Sequence, residues 1–100
     1  MILRLWRTRI VLARESEYQR FANERSLPMF RSQSGFLGLY FSGSGEERVV
    51  VTVWTSGSAA EALEVSPTYL STVAAIQEQG FLRPPQSVEV LEIQGTTFPT

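Results

Sequence analysis

The chain has 100 residues, with ten glutamates against nine arginines, and it contains no histidine, cysteine, lysine or aspartate. Those absences exclude imidazole bases, thiolate nucleophiles, Schiff-base amines and any zinc site built on His or Cys, leaving Glu, Arg, Tyr, Trp, Ser and Thr for chemistry. A net charge of −1 offers no field to draw nucleic acid or an anionic membrane, and the length suits one domain with a modest core.

Arginine interrupts the apolar residues of the opening stretch Met1-Ile2-Leu3-Arg4-Leu5-Trp6-Arg7, so neither a signal peptide nor a membrane span is expected. A cytoplasmic protein follows, which the lack of cysteine fits. Residues Ile2 to Leu12 alternate loosely between apolar and polar and read as a first strand. Ser16-Glu17-Tyr18-Gln19 has the spacing of a capping box, placing a helix start there, with Tyr18, Phe21, Ala22 and Arg25 along one face. Pro28 is expected to kink or end that helix, and Ser34-Gly35 to stop the segment.

Phe36 to Ser42 is rich in β-formers, and Gly43-Ser44-Gly45 reads as the turn into a strand from Arg48 to Trp54. Ser58-Ala59-Ala60-Glu61 has the form of a second capping box, and Ser66-Pro67 restarts the helix with a hydroxyl cap and a first-turn proline. Tyr69, Leu70, Val73 and Ile76 then form an apolar stripe up to Gly80, which suits the left-handed residue after a helix end. Ser87 to Ile93 reads as a last strand, and the tail from Gly95 as loose. The order strand, helix, strand, strand, helix, strand predicts an α+β fold: a ferredoxin-like βαββαβ sandwich with antiparallel strands ordered 4-1-3-2 and both helices on one face. One domain over residues 1–95 and a tail over 96–100 are expected. Seven of the nine arginines lie at or before Arg31 and seven of the ten glutamates at or after Glu46, so the two halves are expected to pair across the fold.

A sheet covered on one side should bury one parity of each strand. Val49, Val51 and Val53 are apolar, yet so are Val50 and Trp54 on the opposite parity; Leu37, Leu39 and Phe41 likewise oppose Phe36 and Tyr40. Two helices cover one face, so the other is expected to meet a second copy of the chain in a homodimer, with Val49, Val51 and Val53 in the interface.

Gly35-Phe36-Leu37-Gly38, Trp54 at a strand end, Ser66-Pro67-Thr68-Tyr69, and Gly80-Phe81-Leu82 before Pro84-Pro85 together resemble the antibiotic biosynthesis monooxygenase domain family, over nearly the whole chain. The resemblance implies a dimeric α+β barrel with a small-molecule cavity between sheet and helices. The haem-degrading branch of that family has a second Trp and a haem-ligating His where this chain has Leu63 and Val73, so that activity is not expected. The cofactor-independent branch, which oxidises polyketide phenols to quinones, has an Asn, a Tyr and an Arg around the strand Trp where this chain has Val50, Ala60 and Ala74; Trp54 alone carries over.

Cofactor-free oxygenation suits the available residues, because a phenolate can itself pass an electron to dioxygen while the protein orients the ring and excludes water. The expected ligand contacts are Trp54 stacking on an aromatic ring, Tyr40 or Tyr69 hydrogen-bonding it, and Arg7 or Arg9 holding an anion. Each has a structural counterpart: Trp54 and Tyr69 as core residues, a first-strand arginine paired with Glu89 or Glu92. No catalytic residue is assigned, and no cofactor, metal, nucleic-acid partner or membrane is expected. The two functional readings are a cofactor-independent monooxygenase acting on a small hydroxylated aromatic or polyketide-like compound, and a non-catalytic dimeric module that binds a small apolar ligand. Convergent Arg or Tyr groups in the cavity would favour the first.

Overall fold

A computed structural model describes residues 1–99. Strand β1 (Ile2–Ile10) runs in the centre of a four-stranded antiparallel sheet, beside β3 (Glu47–Trp54) and β4 (Leu82–Glu92), with β2 (Phe36–Ser44) beyond β3. The order β2-β3-β1-β4 is the expected 4-1-3-2 read from the other edge. Helices α1 (Glu15–Phe21), α2 (Leu27–Arg31), α3 (Gly57–Glu64) and α4 (Pro67–Glu78) complete the ferredoxin-like α+β fold.

The first helix starts differently from the expectation. A short 3-10 turn, Leu12–Arg14, leads straight into α1, Arg14 occupies the N-cap without a side-chain bond, and Ser16 lies inside the helix instead of capping it. Acidic Glu15 and Glu17 in the first turn favour the helix's positive end instead. Pro28 neither ends nor breaks the run. A π-helical turn, Ala22–Ser26, joins α1 to α2 without a gap, and the Leu27 N–H bonds back five residues to the Ala22 carbonyl. Pro28 then falls in the first turn of α2, where its missing N–H matters least.

Gly35 follows with φ +82, and a Cβ built there would lie 2.5 Å from the Ala59 Cβ, so glycine is required both for the turn and for the approach of α3. The hairpin turn is the two-residue Gly45-Glu46, one step later than expected; Gly43 lies within β2 at φ +129, where any side chain would meet the Glu47 backbone. The N-cap of α3 is Ser56, whose hydroxyl accepts from the Ala59 N–H, and Ser58 is inside the helix. Ser66 caps α4 as expected, with Pro67 at its first position and Gly80 following at φ +77. The buried stripe of α4 is Thr72 and Ile76 with Tyr69 and Val73 beside them; Leu70 is exposed. Residues 93–99 have no helix or strand, and Thr100 lies outside the described residues.

Register decides the faces. Ile2, Arg4, Trp6, Thr8 and Ile10 of β1 share the helix side with Val50, Thr52 and Trp54 of β3, since Arg4 pairs with Thr52 and Trp6 with Val50. Leu3, Leu5, Arg7, Val49, Val51 and Val53 point away from the helices. On β2 the two-sided apolar pattern has a local cause: a bulge at Leu37 brings Phe36 opposite Trp54 while Leu39 meets Thr52 and Phe41 meets Val50, so all three turn to the helices. Tyr40 remains on the outer face, paired with Val51, and Leu37 at the bulge is left half-exposed. The valine face of β3 has no such bulge and is two-sided in fact, with Val49, Val51 and Val53 half-buried.

Candidate functional site

Two apolar clusters fill the space between sheet and helices. One holds Met29, Phe30, Val50, Trp54, Ala60 and Leu63, the other Ile10, Tyr18, Phe21, Ile76 and Phe81. Trp6 packs against both. Over Trp6 and Val50 lies a cavity of about 50 Å3, bounded by Arg4 and Tyr69 towards the first cluster and by Tyr18 and Ile76 towards the second. A second, more polar cavity of about 180 Å3 adjoins it across Tyr18 and Phe41, with Arg48, Ser42 and Gln19 in its wall.

Arg4 is the charged group of the inner cavity. It is 2% exposed, on the helix side of β1, and its guanidinium is held by two partners. Nε donates to Glu64 Oε1 at 2.9 Å, and Nη2 donates to the Tyr69 hydroxyl at 2.8 Å while lying 2.8 Å from the same Glu64 oxygen. Glu64 sits at the end of α3 and Tyr69 in the first turn of α4, so two helix ends converge on one strand residue. Burying a lone guanidinium would be prohibitive, and these bonds offset that cost. Because Tyr69 Oη accepts from Arg4, its own proton is free to be given elsewhere.

Tyr18 is equally enclosed at 2% exposure. Burial pushes its phenol pKa up, and the nearby Arg48 guanidinium, 5.9 Å from the ring centroid, opposes that only in part, so the hydroxyl keeps its proton at neutral pH.

The sequence-derived contact residues divide between the two faces of the sheet. Tyr69 lines the cavity. Trp54 is 0% exposed and belongs to the core: it packs edge-on against Phe36 at 5.6 Å, and its Nε1 donates to Thr52 Oγ1 at 2.8 Å, which leaves no polar atom for a ligand. Tyr40 is 63% exposed on the outer face. Arg7 and Arg9 are also outside, Arg7 bonded to Glu89 at 2.9 Å and Arg9 to Glu46. The arginine that reaches the cavity is Arg4, on the opposite parity. Of the cross-fold pairs expected, Arg4 with Glu64, Arg7 with Glu89 and Arg9 with Glu46 form, whereas Arg14 pairs locally with Glu17. Among the positions where the family's polar groups were sought, Val50 and Val73 line the cavity with apolar surface, and Ala60 and Leu63 are core. Among the described residues no group of three or more acidic, His or Cys side chains could hold a metal, and no helix is long and apolar enough to cross a membrane.

No protein-family model and no curated protein matches the chain. Solved structures do. The chain is similar to a monooxygenase from the gene ActVA-Orf6 of Streptomyces coelicolor, solved with the ligand nanaomycin D, at a TM-score of 0.83 and 17% identity over 99% of this chain and 92% of that one. It is similar to SnoaB, a cofactor-independent oxygenase from Streptomyces nogalater, at a TM-score of 0.69 and 19% identity over 95% and 94%. It is also similar to an antibiotic biosynthesis monooxygenase, at a TM-score of 0.74 and 12% identity over 95% and 100%. At these identities the likeness is one of fold, carried over the full length of both partners.

Proposed function

With the fold of the antibiotic biosynthesis monooxygenases as premise, we propose that the chain is a cofactor-independent monooxygenase acting on a small hydroxylated aromatic or polyketide-like compound. The observation that carries the reading is a fully buried arginine at the wall of a largely apolar cavity, oriented by Glu64 and Tyr69. A hydroxyarene and dioxygen give a quinone and water, with all the electrons drawn from the ring, so the protein need supply no redox group. Its tasks are to stabilise the phenolate, to exclude water and to guide protons. Arg4 stabilises the developing oxyanion in a dry site, where such a charge contact is worth far more than in water. Tyr69, held by Arg4, is placed to donate its proton to an oxygen atom leaving as water. Trp6 and Phe41 are the flat apolar surfaces against which a ring would lie.

The other reading, a non-catalytic module that binds a small apolar ligand, gains support from the apolar Val50 and Val73 and from the small volume of the cavity. Oxygen uptake with a panel of naphthols and anthrones, run beside Arg4→Met, separates the two. Uptake by the wild type that falls at least a hundredfold in Arg4→Met supports the oxygenase; no uptake with any compound leaves the binding module.

The outer face belongs to the same proposal. Leu3, Leu5, Val49, Val51 and Val53 form a contiguous apolar strip, with exposed Tyr40 and Leu91 beside it. A second copy laid sheet to sheet would cover it, giving a homodimer. A cytoplasmic location completes the reading, in keeping with the cysteine-free composition.

A further inference from the structure

The outer cavity takes no part in the function proposed above, and its wall carries a single charge. Tyr18, Gln19, Phe41, Ser42, Gly43 and Arg48 line about 180 Å3, and Arg48 is the one ionised side chain among them. That space is far more than the roughly 10–15 Å3 one water needs. Arg48 lies on the helix side of β3, opposite Thr8 of β1 and Gly43 of β2. Its Cζ is 5.9 Å from the Tyr18 ring centroid, so the guanidinium itself, and not its stem alone, stands beside another wall of the cavity.

The two edges of that guanidinium are used differently. Nη1 donates to the Gly45 carbonyl and, at 2.9 Å, to the Glu47 carbonyl, which ties the group to the hairpin turn. Nε and Nη2 form the other edge, the planar fork that matches a carboxylate with two parallel N–H bonds. Glu64 occupies this edge on Arg4, and Glu17 occupies it on Arg14. On Arg48 it is half-empty: Nη2 has Glu15 Oε2 at 3.2 Å, and Nε has no partner among the described residues. No enclosed side-chain nitrogen among those residues lacks a partner, so Nε is open to the space around it. Glu15 is 57% exposed and reaches one nitrogen only, and a pair so open to water contributes little. Other acids of the turn are engaged elsewhere, Glu46 bonded to Arg9 and Glu47 level with Arg9 on the outer face.

We propose that the outer cavity is a carboxylate site, in which a small organic monoacid displaces Glu15 and closes both arms of the Arg48 fork, its apolar body lying against Tyr18 and Phe41. One fork beside an acidic residue suits one negative charge; a phosphate dianion would meet Glu15 with a single arginine to offset it. The site is separate from the Arg4 cavity and does not depend on turnover there.

The test is an NMR titration of the full chain with benzoate and its neutral counterpart benzamide, following the backbone N–H and arginine Nε–H signals. Benzoate is expected to bind about tenfold tighter than benzamide and to move the signals of Gln19, Gly43 and Arg48 but not those of Tyr69 and Val73. Arg48→Gln should remove that preference and Arg4→Met should leave it intact. Glu15→Gln, which frees the fork without touching the turn, should tighten benzoate about threefold, and it decides the matter if Arg48→Gln does not fold. The proposal is overturned if benzamide binds as tightly as benzoate, if Arg4→Met rather than Arg48→Gln abolishes binding, if Glu15→Gln weakens benzoate or leaves its affinity unchanged, or if benzoate does not bind.

Discussion

Arg4 sets stability against function within one side chain. Its burial is compensated by a carboxylate that remains half-exposed, so removing the arginine leaves Glu64 able to hydrate. An unbranched apolar side chain of similar length should fill the space at no desolvation cost, and Arg4→Met is expected to unfold at the same temperature as the wild type or higher while losing oxygen uptake. Thermal unfolding followed by circular dichroism checks the first half. Thr52 behaves in the opposite sense. It is 0% exposed, accepts from Trp54 Nε1 at 2.8 Å and lies 3.3 Å from the Arg4 carbonyl. Thr52→Val keeps the shape but strands a buried indole N–H, and denaturant titration should show a loss of about 1–3 kcal/mol. Alternation in the sequence puts Arg4 and the pair Arg7, Arg9 on opposite sides of β1, but both parities mix apolar residues with arginine. Ile2, Trp6 and Ile10 share Arg4's parity while Leu3 and Leu5 share that of Arg7 and Arg9, so which side carried the helices was not legible from that strand alone.

The elements themselves were largely readable, their starts less so. Three serines offered capping geometry in the sequence, and one, Ser66, performs it. At α3 the cap moved two residues upstream to Ser56, because the chain leaves β3 after Trp54 and Gly57 already takes the helical turn. Ser56→Ala should cost about 1 kcal/mol in chemical unfolding and Ser58→Ala almost nothing; equal effects would contradict the assignment. Pro28 is expected to kink or end the helix, since a proline deletes one N–H and collides with the preceding turn. The π turn at 22–26 absorbs that conflict, and a widened turn leaves no trace in apolar spacing short enough to be noticed. The bulge at Leu37 is the same kind of event in a strand: one added residue reverses the side on which Phe36 falls, so simple alternation across β2 misassigns it.

At the level of the whole molecule, topology followed from element order, since right-handed crossovers leave few ways to close two βαβ halves into one sheet. The cavity did not follow, because it depends on where Trp6 leaves a gap between two clusters. The valine strip is the feature with the largest consequence for assembly. Val51 stands at its middle, flanked by Leu5 on β1 and Tyr40 on β2. If two such strips face each other, Val51→Arg places like charges in a dry contact, and sedimentation should show a dimer for the wild type and a monomer for the variant, with the helix content of each alike.

The two tryptophans occupy unlike places, and this makes the molecule its own optical instrument. Trp6 is part of the cavity wall, whereas Trp54 is sealed behind Phe36 and shielded on every side. An aromatic guest should therefore dim only the Trp6 share of the emission, and the remainder, from Trp54, supplies a constant against which occupancy is read. In Trp6→Phe the titration signal should vanish although the residual emission persists.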